Sequence, residues 1–242
     1  MPKKTPQTPL SAILLSAAHG LRWLCAPVWV LALATEAKSF KDNPIIGSRW
    51  LNRAGLHIAR VQLAQRMADR RRKRLAHLLA DQDRADFDRD GFILKHDFLP
   101  PAALAAVEQE LAQCTGQVRE MEQGDAVTRR MSLDAGALKH MPATRQLLQG
   151  ERWLGLLSYA GSFRCHPMNY LQTILAHERR AVADPQLQLH SDTFHPTVKA
   201  WLFLSDVGVE DGPFVYVPGS HRINRRRLAW LRRQSIDAPS LD

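Results

Sequence analysis

The chain has 242 residues, an apolar fraction of 45% and a formal net charge of +9 at pH 7. This length supports one sizeable hydrophobic core plus an extension, and the apolar fraction is that of an ordinary globular protein. The three cysteines, Cys25, Cys114 and Cys165, are far apart and form no CxxC pair, which argues against a disulfide framework or a zinc cluster and favours a reducing cytoplasm.

The positive charge is concentrated in the N-terminal third. Residues 1–80 contain 14 Lys and Arg but only 3 Asp and Glu, a net charge of +11, whereas the remainder carries a net charge of −2. A basic segment of this kind suits an anionic partner, either membrane phosphate or nucleic acid.

An apolar stretch from Leu10 to Ala34 is long enough to span a bilayer. Arg22 lies near its centre, where an arginine costs about 2.5–3.5 kcal/mol on membrane-insertion scales. Ala32-Leu33-Ala34 resembles a signal-peptidase site, but Arg22 would leave an unusually long charged n-region before it. The pattern therefore favours helices that pack on the main domain or lie in a membrane interface, with Trp23 and Trp29 as interfacial anchors.

Residues 54–79 are predicted to form a long amphipathic helix, because apolar residues recur at helical spacing from Leu56 to Leu78. Its other face carries a run of cations between Arg66 and Arg74. This face has three interpretations: a solvated charged surface, a surface attracted to anionic lipid, or a nucleic-acid surface. No aromatic interleaving, zinc spacing or helix-turn-helix pattern supports the last, and no nucleic-acid partner is expected.

The middle of the chain alternates short strands and helices. Residues 81–90 read as a charged connector, and a helix is predicted to begin at Pro100-Pro101. The other predicted elements are strands at 92–94, 127–131 and 170–176 and a helix at 153–159.

His190-Ser191-Asp192 opens the stretch with the most chemical content. In a strand, residues two apart point to the same face, so this imidazole and carboxylate can hold one metal ion together. A second histidine would complete the two-His-one-carboxylate triad, which leaves open positions on Fe(II). Strands are predicted at 198–204 and 214–217, with turns at Asp211-Gly212-Pro213 and Pro218-Gly219.

This order of motifs resembles the phytanoyl-CoA dioxygenase family of Fe(II)/2-oxoglutarate oxygenases. The resemblance rests on His190-x-Asp192, on Ala200-Trp201, on Gly212-Pro213 and on the turn at 218–222, together with FDRDGFILKHDFLPPAALAAVEQEL at 87–111. It covers roughly residues 84–224.

The resemblance implies a double-stranded β-helix, which is a jelly-roll, cupin-like β core with flanking helices. We expect this oxygenase domain at residues 84–242, preceded by a basic helical extension at 1–83. The implied cofactor is Fe(II), held by His190 and Asp192, with 2-oxoglutarate and O2 as cosubstrates. Gln172, Thr173 and Trp201 are the implied cosubstrate-binding residues.

The implied reaction is hydroxylation of an unactivated C–H bond of a small molecule, with a lipid-like substrate favoured by the apolar, basic N-terminal third. Halogenating relatives have a small residue in place of the carboxylate, so Asp192 favours hydroxylation. His195 and His221 are weaker candidates for a ligand, and Arg222 is a candidate partner for a carboxylate.

In the family, a distal histidine ligand and an arginine that anchors 2-oxoglutarate follow the turn at 218–222 by some tens of residues. No histidine follows His221 here, so we expect the domain to be incomplete at its C-terminus. A non-catalytic jelly-roll binding protein that lacks the distal ligand is the alternative. We expect the protein in the cytoplasm, with peripheral contact to the inner face of an anionic membrane as a further hypothesis.

Overall fold

The computed structural model describes residues 26–124, 126–175, 189–211 and 213–237. The predictions made for residues 1–25, which include most of the apolar stretch and the anchor Trp23, lie outside the described residues. Within the described ranges, no helix combines the length and the apolar character needed to cross a membrane.

The described parts of the chain contain eight α-helices and three β-strands. The helices are Ala26–Leu31 (α1), Arg49–Arg53 (α2), Leu56–Leu75 (α3), Asp81–Asp90 (α4), Pro101–Gln113 (α5), Pro142–Gln149 (α6), Glu151–Gly161 (α7) and Arg225–Asp237 (α8). The strands are Val118–Gln123 (β1), Ala126–Ser132 (β2) and Tyr170–Leu175 (β3). The long basic helix, the helices after Pro100 and at 153–159, and the strands at 127–131 and 170–175 are thus confirmed.

Within the described residues, the contacts form two compact units, one within residues 1–62 and 228–242 and the other within residues 63–227. In the first unit, the buried polar side chains of Asn52 and Arg60 hydrogen-bond to backbone carbonyls. The Asn52 amide donates to the carbonyls of Ile46 at 2.8 Å and Ser235 at 2.9 Å. The Arg60 guanidinium donates to three carbonyls between residues 33 and 37. These side chains thereby supply hydrogen-bond donors to backbone carbonyls of segments that are distant in the sequence.

The sheet of the second unit is a three-stranded antiparallel meander in the order β1-β2-β3. Met131 pairs with Leu171, and paired residues share a face of the sheet. Leu171 packs against the main apolar cluster of this unit. The opposite face carries Tyr170 and Ile174, which are exposed. The buried members of the cluster come from α5, α6 and the segment between β2 and α6: Val107, Leu111, Leu133, Leu138, Met141 and Leu147.

The prediction that residues 81–90 form a charged connector is wrong, because these residues form helix α4. Local pairs support the helix: Arg84 bonds to Asp81, and Gln82 bonds to Asp86. Its single large apolar side chain, Phe87, is buried edge-on against Tyr159 with 5.6 Å between the ring centroids. One buried aromatic anchor therefore suffices where the sequence shows no apolar stripe.

The strands predicted at 92–94, 198–204 and 214–217 are irregular backbone in the structure. The side-chain alternation at 198–204 is nevertheless present, because Leu202 and Leu204 pack against the main cluster whereas Trp201 and Phe203 are exposed. A strand also needs a neighbour for its backbone hydrogen bonds, and no ladder joins this segment to another described residue. The described residues therefore form a mixed helix-and-sheet structure rather than two facing sheets.

The basic run on α3 is partly structural. Arg71 donates to the carbonyl of Ser162 at 2.9 Å and to its hydroxyl at 3.1 Å. Arg72 donates to the carbonyls of Tyr159 at 3.2 Å and Ala160 at 2.9 Å. Both arginines thereby satisfy carbonyl groups at the C-terminal end of α7, where a cation also complements the helix dipole.

We expect Arg72→Gln to destabilise the fold by about 2 kcal/mol, because it removes charged hydrogen bonds to carbonyls that stay buried. The Arg72 side chain is only 12% exposed, and its guanidinium lies 4.8 Å from the centre of the Phe87 ring. Arg70→Gln is the matched control on the same helix, since Arg70 is exposed and should change stability by less than about 0.5 kcal/mol. Urea unfolding followed by circular dichroism measures both, and equal losses would contradict the capping role of Arg72.

Candidate metal centre

His190 and Asp192 lie close together in the segment that precedes residue 198. The imidazole Nε2 is 3.3 Å from the carboxylate Oδ1 of Asp192. The side chains are 33% and 42% exposed, so both are open to a ligand from solvent. The segment is irregular rather than a strand, but the two side chains still converge. Local hydrogen bonds shape it: the Ser191 hydroxyl donates to the Thr193 carbonyl, and the Thr193 hydroxyl donates to the His195 carbonyl.

Lys199 is a third member of this group that the sequence did not single out. Its ammonium group lies 2.5 Å from Oδ2 of Asp192, so each carboxylate oxygen of Asp192 faces a different partner. The available signal was a cation inside an otherwise apolar, alternating stretch. Because the ammonium offsets the charge of Asp192, a cation that binds this carboxylate competes with Lys199 for it.

The His190–Asp192 pair has the chemistry that an iron site needs. Imidazole nitrogen and carboxylate oxygen are ligands of non-haem Fe(II). Two donor atoms 3.3 Å apart can both lie about 2.1 Å from one ion. No cluster of three or more His, Cys, Asp or Glu side chains able to hold a metal ion occurs in the described ranges. The pair thus fits the metal as two of its protein ligands.

The two weaker histidine candidates each pack against a phenylalanine ring. The His195 ring packs edge-on against Phe194, with 5.3 Å between the ring centroids. The His221 ring packs against Phe87, with 5.6 Å between centroids. Burial lowers the pKa of His221, and the neighbouring cations Arg222 and Arg72 lower it further. His221 is therefore neutral at pH 7 and forms part of a packed turn.

That turn, at residues 218–222, caps helix α4. The Gly219 amide donates to the Asp90 carbonyl at 2.8 Å, and the Arg222 Nε donates to the Asp88 carbonyl at 3.0 Å. Arg222, a candidate partner for a carboxylate, binds the main chain of α4 through its guanidinium. The predicted turn at residues 218–222 therefore holds the C-terminal end of helix α4.

Two of the three predicted cosubstrate residues, Gln172 and Thr173, lie on opposite faces of β3. Gln172 accepts a hydrogen bond from the Arg130 Nε at 2.6 Å on the face of β3 that also carries Ile174. Thr173, the next residue, points to the opposite face, as the strand pleat requires. Trp201 stacks on Phe214 with 4.5 Å between the ring centroids. Since adjacent strand residues cannot face one ligand, at most one of Gln172 and Thr173 can share a site with the metal pair.

A family model described as phytanoyl-CoA dioxygenase (PhyH) matches residues 87–238, well over half of the chain. The chain belongs to the phytanoyl-CoA dioxygenase family. Neither the curated proteins nor the solved structures include a match to the chain.

Membership of this family relates the His190–Asp192 pair to a known class of iron chemistry. The phytanoyl-CoA dioxygenase family has a cupin or jelly-roll fold, and its members generally are Fe(II)/2-oxoglutarate oxygenases. The matched range contains His190, Asp192 and Lys199, as well as the three residues considered for the cosubstrate.

Proposed function

We infer that this chain is an Fe(II)/2-oxoglutarate-dependent dioxygenase of the phytanoyl-CoA dioxygenase type. Its reaction would be the hydroxylation of an unactivated C–H bond in a small, lipid-like molecule. The observation that carries the proposal is the 3.3 Å approach of the His190 Nε2 to the Asp192 Oδ1 inside the range matched by the family. A jelly-roll core at residues 84–242, in a cytoplasmic protein, belongs to the same proposal.

The protein's part in this reaction is to bind and orient. His190 and Asp192 would hold Fe(II), which together with 2-oxoglutarate and O2 supplies the oxidising chemistry. Lys199 would lie beside the carboxylate, where its ammonium group competes with the metal ion for Asp192. Trp201 and Phe214 offer an exposed aromatic surface against which a cosubstrate or an apolar substrate can lie. Gln172, fixed by Arg130, would supply an amide group to the cosubstrate.

A second candidate function is supported by the ion pair of Asp192 with Lys199. A carboxylate that already has a cationic partner is also what a non-catalytic binding protein of this fold would contain. In that case His190, Asp192 and Lys199 would form a polar network with no metal, and the aromatic pair would bind a ligand without changing it.

Metal titration separates the two functions. We expect Mn(II), used under nitrogen as a stable substitute for Fe(II), to bind the protein with an affinity that falls more than tenfold in His190→Ala. Mutation of a residue that only hydrogen-bonds to a metal ligand already lowers metal affinity by about 10–100-fold. Isothermal titration calorimetry gives the affinity. His195→Ala is the matched control, because it removes a nearby imidazole that packs on Phe194, and it should bind Mn(II) as the native protein does.

The same proteins are then supplied with Fe(II), 2-oxoglutarate and O2, and succinate is measured. Succinate release that depends on His190 would support the oxygenase. Tight Mn(II) binding that is lost equally in His190→Ala and His195→Ala would contradict the assignment of the pair. Metal binding without succinate release would overturn the enzymatic proposal in favour of the binding protein.

A further inference from the structure

Helix α3 presents an exposed strip that its capping role does not use. Leu63, Met67, Arg70 and Arg74 follow one another at intervals of four, three and four residues, which places them on one face of the helix. Leu63 is 57% exposed and Met67 is 47% exposed. Two large apolar side chains followed by two cations are thus displayed to solvent on one element.

A shallow cleft of about 250 Å³ continues this strip toward the C-terminal end of α7. Its walls are three arginines, two apolar side chains and one serine, with no acidic residue: Arg71, Arg74, Leu75, Ser162, Phe163 and Arg164. The Phe163 ring is 47% exposed at this place. The strip and the cleft together, defined by Leu63, Met67, Arg70, Arg74, Phe163 and Arg164, are called the α3 surface below.

The cations of the α3 surface are available to an external anion. Among the described residues, no carboxylate forms an ion pair with Arg70, Arg74 or Arg164. Arg71, in contrast, is held by the carbonyl and hydroxyl of Ser162. This fixed guanidinium gives the cleft a permanent positive charge without further ordering of the side chain.

The α3 surface combines apolar and cationic side chains, and this combination favours one kind of anionic partner over another. A nucleic acid would be expected to meet several aromatic side chains interleaved with the cations, whereas the α3 surface has one, Phe163, beside the aliphatic side chains of Leu63 and Met67. Apolar side chains beside arginines are the composition of a helix that lies in a membrane interface, with the apolar groups inserted and the cations at the headgroups. Arginine stems can cover apolar surface while their charged ends reach the phosphates.

We propose that the α3 surface is a docking site for an anionic phospholipid bilayer. Leu63, Met67 and Phe163 enter the boundary between headgroups and acyl chains, and Arg70, Arg74 and Arg164 bind phosphate and carboxylate groups of the headgroups. This site lies within the unit formed by residues 63–227 and does not depend on the apolar stretch before residue 26.

Vesicle co-sedimentation of the full chain tests this. Native protein should bind vesicles of phosphatidylcholine mixed with phosphatidylserine, and added salt should weaken the binding. The triple variant Arg70→Gln/Arg74→Gln/Arg164→Gln should bind about 100-fold more weakly, since one basic residue near an anionic surface contributes about fivefold. Phe163→Ser should weaken binding without changing its salt dependence.

The matched control is Lys139→Gln/Arg225→Gln/Arg226→Gln, which makes the same change of charge at exposed residues elsewhere. Equal losses in both triple variants would overturn the proposal, because net charge alone would then explain the binding. Equal binding to pure phosphatidylcholine vesicles would overturn it too. So would competition by soluble glycerophosphoserine, which would assign the site to a free phosphate group. Tighter binding to duplex DNA, lost in the same variant, would assign the surface to nucleic acid.

Discussion

Asp192→Asn is expected to lower Fe(II)-dependent succinate release from 2-oxoglutarate by at least about 100-fold, because Asp192 is the anionic member of the candidate metal pair. The amide keeps the shape of the carboxylate but cannot offset the charge of the metal ion. The Asp192 Oδ1, which lies 3.3 Å from the His190 Nε2, is the oxygen that this change affects at the site. Succinate release under O2 is the measurement, and circular dichroism verifies that the variant is folded.

Lys199→Met is the control that shows whether Asp192 acts through a metal ion or through its ion pair with Lys199. The ammonium of Lys199 lies 2.5 Å from the other carboxylate oxygen, so Asp192→Asn also breaks this ion pair. If Asp192 acts on a metal, Lys199→Met should retain succinate release within several-fold and should bind Mn(II) at least as tightly as the native protein, because a competing cation is removed. Equal losses in both variants would show that the carboxylate matters through Lys199, and the metal assignment would be wrong.

Gly91→Ala is expected to destabilise the unit formed by residues 63–227 by about 3 kcal/mol, which corresponds to a decrease of about 9 °C in melting temperature. Gly91 ends helix α4 with a φ of 87°, a conformation that favours glycine. An added Cβ would also lie only 2.3 Å from the Nδ1 of His221 and 2.7 Å from the hydroxyl of Tyr216. The variant therefore combines backbone strain with a collision in a packed turn.

Two further variants separate these causes. Gly55 has a φ of 104°, but a Cβ added there meets nothing within 4 Å, so Gly55→Ala should cost only the backbone strain of about 1 kcal/mol. The double variant Gly91→Ala/His221→Ala should be less destabilised than the sum of its two single variants, because the colliding ring is gone. Urea unfolding gives the free energies. Strict additivity, or a Gly91→Ala cost no larger than that of Gly55→Ala, would contradict the packing of the turn against α4.

Local sequence patterns were sufficient to predict several helices, the family and the His190–Asp192 pair. The helical spacing from Leu56 to Leu78 predicted α3, and the Pro100-Pro101 start predicted α5, because these signals act within a few residues and do not depend on distant contacts. The order of motifs between His190 and Arg222, together with the stretch at 87–111, was sufficient for the family. His190 and Asp192 lie close together as predicted, although the prediction assumed a strand and the segment is irregular.

Tertiary contacts determined which alternating segments form strands, where helix α4 packs and which acceptors the cations bind. Alternation at 198–204 correctly placed Leu202 and Leu204 on the packed side, but whether an alternating segment becomes a strand depends on a neighbouring strand, which alternation does not encode. Helix α4 forms because Phe87 finds Tyr159, a partner 72 positions later in the chain. The roles of Arg72 as a cap for α7, of the turn at 218–222 as a cap for α4, and of Lys199 as the partner of Asp192 were likewise invisible beforehand. A cation's partner is whichever acceptor the fold brings within hydrogen-bonding distance, and only the folded chain determines that distance.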